Sequence, residues 1–197
     1  MTCGVNYRKG LLDEVKSNNE RCIFECSPLC LCSITCSNKL VQRGPSQDLY
    51  VKEVENKGWG LFTRKSVERG KFICEYAGEI IGREEAFRMF KVGKHRKYIF
   101  CLKEHCGGKV SETYIDATNF ANVGRYANHS CSPNCSVIPV RTGFMTPRLA
   151  IFAQCNINKD EEITYAYGPS DSRVSSLPCF CGANACRGFL PSTELDR

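Results

Sequence analysis

A chain of 197 residues, 42% hydrophobic and 24% charged, has room for one compact domain with small satellites. A net charge of +6 is compatible with work beside nucleic acid but does not establish it. No apolar run approaches a membrane span and the start carries no signal-peptide pattern, so a membrane or secretory role is set aside. The 15 cysteines fall mostly in C-x-C and C-x3-C spacings, which share a metal more readily than they bridge each other; zinc and a reducing compartment are expected.

Residues 1–46 carry Cys3, Cys22, Cys26, Cys30, Cys32 and Cys36, the last four as C-x3-C-x-C-x3-C. Little else there could build a core, so metal is expected to hold this segment together. Residues 47–168 read as mixed, mostly β structure with short helices. Leu49-Tyr50-Val51 and Gly60-Leu61-Phe62 are short strands around a glycine-rich turn, and Lys71–Ile81 is one longer strand. In Arg83–Val92, Ala86, Met89 and Phe90 recur at helical spacing between charges, which predicts an amphipathic helix. Tyr98–Leu102 and Val110–Ile115 flank Gly107-Gly108 as a hairpin with a long loop. Cys135–Val140 and Arg148–Ala153 are further strands, Glu161–Tyr167 starts as a strand, and 170–178 is a Ser-rich linker.

The tail offers Cys179, Cys181 and Cys186, three thiolates in C-x-C-x4-C. A structural zinc wants four ligands, and Cys131 in Asn128-His129-Ser130-Cys131 can supply the last. That closure would fold the tail over the middle of the chain and roof a cleft beside Asn128 and His129.

Four segments now stand in order: Lys57-Gly58-Trp59-Gly60, Cys74–Glu79, Arg125–Cys131 and Glu161–Tyr167. Together with both cysteine modules they resemble the SET-domain protein lysine methyltransferases, residues 1–46 resembling a partial pre-SET segment, 47–168 the SET domain and 169–197 the post-SET tail. The resemblance implies small curved β-sheets with a threaded pseudoknot. It implies methyl transfer from S-adenosylmethionine to a lysine amine, most naturally on a histone tail, in the nucleus and on the chromosome. It makes Tyr167 the catalytic tyrosine, Tyr165 the position that tunes methyl number, and Tyr76 a channel wall. Lys57, Gly58, Trp59, Gly60, Tyr98, Arg125, Asn128, His129 and Phe180 become cofactor-binding candidates. Cys22, Cys26, Cys30, Cys32 and Cys36 become front metal ligands, and Cys131, Cys179, Cys181 and Cys186 the tail set.

Each of these residues also has a plainer reading. The tyrosines fit half-buried sheet positions, Gly58-Trp59-Gly60 a tight turn with a packing indole, His129 a structural histidine, and Phe180 the core of a zinc knuckle. Two departures from the family pattern stand out. Ala166 occupies a position that is usually acidic or polar, and only Cys3 and Cys22 precede the C-x3-C-x-C-x3-C run, so the full front cluster is incomplete. They motivate an alternative from another class, a catalytically weak, zinc-stabilised chromatin-binding module. The remaining cysteines, Cys74, Cys101, Cys106, Cys135 and Cys155, read as small apolar or surface thiols. The basic run Arg83, Arg88, Lys91, Lys94, His95, Arg96 and Lys97 reads as a solvated helix face and loop, with a nucleosomal DNA contact as the sharper option.

Overall fold

The computed structural model describes residues 6–12, 22–92, 98–106, 108–168 and 174–192. In chain order the strands are β1 (Tyr7–Arg8), β2 (Leu11–Leu12), β3 (Ile23–Phe24), β4 (Leu49–Val54), β5 (Gly58–Thr63), β6 (Phe72–Tyr76) and β7 (Glu79–Ile81). The helix α1 (Arg83–Val92) follows, then β8 (Ile99–Cys106), β9 (Lys109–Asp116), β10 (Asn128–His129), β11 (Cys135–Arg141), β12 (Arg148–Ala153), β13 (Thr164–Tyr165), β14 (Val174–Pro178) and β15 (Phe189–Pro191). The largest sheet has the order β3-β11-β12-β6; β7-β9-β8 form a second, and four two-stranded pairs complete the described residues.

Strand β12 shows how the core is divided. Its Leu-Ala-Ile-Phe-Ala run is buried on both faces, and successive side chains point to opposite sides of a strand. Leu149, Ile151 and Ala153 enter the main core with Leu61, Ile73, Tyr76, Ile163 and Tyr165. Ala150 and Phe152 enter a second core with Tyr7, Leu12, Ile23, Val41, Phe72 and Val140. The front segment therefore contributes its own apolar side chains, and β3 pairs in parallel with β11. This corrects the expectation that metal alone organises it. Glu25 strengthens the attachment: this 5% exposed carboxylate accepts from Tyr7 Oη at 2.8 Å and from the Leu40 and Val41 amides at 2.8 and 2.7 Å.

Four further expectations are revised. Lys71–Ile81 is two strands, broken at Ala77-Gly78. There the backbone passes Asp116 so closely that a Cβ on Gly78 would lie 2.4 Å from its carbonyl oxygen. The β8–β9 hairpin has no long loop: its ladder runs to Cys106 opposite Lys109, and Gly108 takes a φ of 77° at the turn. Of Glu161–Tyr167 only Thr164–Tyr165 are strand, because their partner β10 is two residues long. The Ser-rich stretch is partly strand as well, since Val174–Pro178 pair with Phe189–Pro191. The predicted helix forms, with Ala86 and Phe90 buried against Ile99 and Tyr114.

Strands β10 and β13 pair in parallel, Asn128 opposite Thr164 and His129 opposite Tyr165. Parallel neighbours need a long connection, and the β11–β12 hairpin lies within it. This one pairing sets Asn128, His129, Tyr165 and Tyr167 side by side.

Candidate active site

An aromatic channel forms where β6, β8 and β13 meet. The Tyr165 ring lies 5.0 Å from Tyr167, 6.5 Å from Tyr76 and 6.1 Å from Phe100, and Tyr76 and Phe100 are 5.5 Å apart. Tyr76 Oη donates to the Tyr98 carbonyl at 2.8 Å and Tyr167 Oη to the Ala127 carbonyl at 3.1 Å. Burial, above all, pushes the hydroxyls of Tyr76, Tyr165 and Tyr167 well above the ordinary tyrosine value, so all three are neutral near pH 7. Sequence reasoning placed Phe100 on a strand but missed it as a wall; in the chain it is one apolar residue among several in Ile99–Leu102, and only packing singles it out.

His129 links this channel to the tail. It is buried, and burial lowers its pKa. Its Nδ1 accepts the Tyr167 amide at 3.2 Å, which places the ring hydrogen of the neutral form on Nε2, 3.5 Å from Cys131 Sγ. The sulfurs of Cys131, Cys179, Cys181 and Cys186 all lie within 4.8 Å of one another. Tetrahedral zinc with Zn–S bonds of about 2.3 Å sets its sulfurs about 3.8 Å apart; Cys131 and Cys179 are 3.9 Å apart. Backbone amides of Cys131, Arg187 and Gly188 approach the sulfurs of Cys181, Cys131 and Cys186 at 3.4–3.5 Å. Although burial alone would raise the Cys181 thiol, donors including the Cys131 and Ala183 amides hold it below the ordinary value, as a metal thiolate needs.

The front cysteines converge less completely. Cys26, Cys32 and Cys36 form a group with sulfurs within 4.8 Å. Cys30 is exposed, its Sγ 3.7 Å from Ser27 Oγ, and does not join that group. Cys22 does not join it either: its Sγ accepts from the Arg141 guanidinium, which also holds Glu104 through two 2.8 Å bonds. Cys3 lies outside the described residues. Cys74 and Cys135 are core thiols, and burial pushes Cys74 up to about 12.

Beside the channel, Asn128 Nδ2 donates to Glu162 Oε1 at 2.8 Å and to the Trp59 carbonyl at 3.1 Å. Lys57 Nζ pairs with Glu162 Oε2. Gly58 has a φ of 79°, and a Cβ on Gly60 would lie 2.9 Å from Glu162 Oε1. The Arg125 guanidinium stacks 4.0 Å over Tyr98, and its Nη1 donates to the Thr118 carbonyl at 3.0 Å. Its Nε is buried and has no hydrogen-bond partner among the described residues. Trp59 and Phe180 are 57% and 49% exposed, leaving aromatic surface open to a ligand. Glu162 is a second residue that sequence reasoning missed; it stood in the Glu161-Glu162 pair with nothing local to separate its role from its neighbour's.

The family model of the SET domain matches residues 58–168. A mouse relative, histone-lysine N-methyltransferase SETMAR, is 42% identical over 185 residues, covering 86% of this chain and 60% of that protein. The crystal structure of the methyltransferase domain of human SETMAR superposes with a TM-score of 0.83 at 37% identity, covering 95% of this chain and 73% of that one. The structure of Arabidopsis thaliana SUVH6 in complex with SAM superposes with a TM-score of 0.79 at 33% identity, covering 91% of this chain and 40% of that one. With the family model matching more than half of its residues and the same fold in solved relatives, this chain belongs to the SET-domain family.

Proposed function

We propose that this chain transfers a methyl group from S-adenosylmethionine to a lysine amine of a histone. The observation that carries the reading is the aromatic channel of Tyr76, Phe100, Tyr165 and Tyr167, tied through His129 to a four-thiolate group. The relatives named as histone-lysine methyltransferases support it, as does the SAM-bound relative.

The cofactor supplies, when bound, an electrophilic methyl on a sulfonium sulfur. The residues beside the channel fit it. The buried Arg125 Nε has an unspent hydrogen suited to a carboxylate, Gly58 permits close backbone approach, and Trp59 and Phe180 offer faces for a flat ring. Cys131, Cys179, Cys181 and Cys186 fit one zinc, which would pin the tail beside His129. At the front, Cys26, Cys32 and Cys36 would hold a second metal with three protein thiolates.

The nucleophile must be a neutral amine, whereas a free lysine has a pKa of about 10.4. Aromatic walls disfavour the ammonium by removing its water. The channel tyrosines are neutral, so they are not phenolate bases, and the proton leaves to solvent. Tyr76 and Tyr167 each spend their single hydroxyl hydrogen on a backbone carbonyl, which leaves their oxygens as acceptors. Two such acceptors orient the amine N–H groups and leave the nitrogen lone pair to face the methyl. Alignment of this kind is the main contribution a protein can make to an in-line displacement. Ala166 is exposed, between the buried Tyr165 and the half-buried Tyr167.

A peptide substrate and a nuclear, chromosomal site of action follow from this reading. In the described part of the basic run, Arg88 is paired with Glu85 at 2.5 Å and Arg83 lies 3.7 Å from Glu112, which favours a solvated helix face over a DNA contact; Lys94–Lys97 lie outside the described residues. Incubation with isotopically labelled S-adenosylmethionine and core histones, followed by mass spectrometry, tests the proposal. Labelled lysine is expected. Cofactor binding without methylation would instead support the binding-module alternative.

A further inference from the structure

Strand β9 ends at Asp116, a carboxylate that is 2% exposed. Its Oδ1 accepts twice from the residue two places on, from the Thr118 amide at 3.0 Å and from Thr118 Oγ1 at 2.5 Å. A turn of this kind is an ordinary way for an aspartate to end a strand. Here the residues it folds hold more than themselves. Ala117, enclosed by the turn, donates its amide to the Tyr98 carbonyl at 3.0 Å. The same carbonyl accepts Tyr76 Oη at 2.8 Å, so both of its lone pairs are spent. The Thr118 carbonyl accepts Arg125 Nη1 at 3.0 Å, and that guanidinium lies 4.0 Å over the Tyr98 ring. Tyr98 is therefore fixed at its carbonyl by Ala117 and at its ring through Thr118. From the other side the β6–β7 corner presses on the same point, since a Cβ on Gly78 would lie 2.4 Å from the Asp116 carbonyl oxygen.

We propose that Asp116 is a positioning residue for methyl transfer: by folding Ala117 and Thr118 it fixes the Tyr98 carbonyl, and that carbonyl sets how the Tyr76 hydroxyl faces the channel. The inference rests on the methyl-transfer reading above. A phenol hydroxyl turns about its C–O bond, so the direction of its lone pairs is set by where its one hydrogen goes. In this site the hydrogen goes to Tyr98. If the turn at Asp116 opens, the Tyr98 carbonyl swings, the hydrogen follows it, and the lone pairs leave the amine. The same movement shifts Phe100, two residues beyond Tyr98 and a wall of the channel, so the room for added methyls changes with it. A displacement of about 1 Å at a reacting centre can cost about 10²-fold in rate. Asp116 thus acts on the reaction through Tyr98 and Tyr76.

Wild-type protein, Asp116→Ala, Asp116→Asn, Thr118→Val, Tyr76→Phe and the Thr118→Val/Tyr76→Phe double variant test this. Each is assayed with saturating labelled S-adenosylmethionine and core histones, and the rate is divided by the number of cofactor sites counted by calorimetry. Thr118→Val keeps the amide but loses the hydroxyl bond to the carboxylate, and should lower kcat about tenfold. Asp116→Ala should lower it about 10²-fold. Asp116→Asn still offers an acceptor oxygen and should retain most of the rate. Thr118→Val should also change the ratio of mono-, di- and trimethyl-lysine by mass spectrometry, which a smaller folded fraction cannot do. The double variant should be no slower than Tyr76→Phe, because Thr118 acts through Tyr76. If Asp116→Ala does not fold, Thr118→Val carries the test. Additive losses in the double variant, or Tyr76→Phe as fast as wild type, overturn the assignment. Wild-type protein that methylates no histone overturns the methyl-transfer reading and this assignment with it. Active wild-type protein beside a Thr118→Val variant of equal kcat and equal product ratio overturns the positioning role alone.

Discussion

Replacing Glu25 by alanine should destabilise the protein by about 3–5 kcal/mol, a large part of the 5–15 kcal/mol typical of a domain. The carboxylate is 5% exposed and collects Tyr7 Oη at 2.8 Å, the Leu40 amide at 2.8 Å, the Val41 amide at 2.7 Å and Gln42 Nε2 at 2.9 Å. Tyr7 and Val41 are 3% and 1% exposed, so the hydroxyl and the Val41 amide would lose their acceptor where water does not reach. An unsatisfied buried donor costs about 1–3 kcal/mol, and bonds to a charged acceptor lie at the upper end. Leu40 and Gln42 are half-buried and recover some of their loss by hydration. Urea denaturation followed by circular dichroism, with and without a metal chelator, measures the effect. Tyr7→Phe, which leaves the carboxylate its remaining donors, should cost less, about 1–2 kcal/mol. A loss below about 1 kcal/mol for Glu25→Ala would refute the reasoning. So would a loss that vanishes once metal is removed, since the front segment would then be held by metal and not by this buried carboxylate.

Three further outcomes are expected. Tyr167→Phe should lower kcat by about 10²–10³, the usual scale for one oriented polar group at a reacting centre, with cofactor affinity nearly unchanged by calorimetry; unaltered turnover would remove Tyr167 from the mechanism. Tyr165→Phe should stay active and shift the product spectrum toward more methyls per lysine, because one hydroxyl fewer enlarges the channel beside the Tyr167 ring 5.0 Å away; an unchanged mass distribution would count against it. Cys181→Ser should release one zinc per chain and abolish activity while leaving most of the protein's far-UV circular dichroism intact, and intact protein should carry fewer than four zincs, since among the described residues of the front segment only Cys26, Cys32 and Cys36 form a group.

Much of this protein was legible in the chain because the signals are local. The 3.6-residue spacing of Ala86 and Phe90 marks the helix, and the tail cysteines with Cys131 state the demand for four ligands. Four ordered motifs name the family, and Tyr165 and Tyr167, two residues apart, come to one channel. Tertiary structure decided what depends on partners distant in sequence. The Gly78 break is set by the backbone at Asp116, and the front core by Phe72, Val140 and Phe152 meeting Tyr7 and Ile23. The resemblance makes Cys22 a front metal ligand, whereas the fold places its sulfur against Arg141. Phe100 became a channel wall, and Glu162 the clamp on Asn128 and Lys57, because the parallel β10–β13 pairing draws remote segments together. Spacing reports which residues share a face, since periodicity belongs to the local backbone. Which face meets which is chosen by non-local strand pairing and burial, and that choice alone tells Glu162 from Glu161.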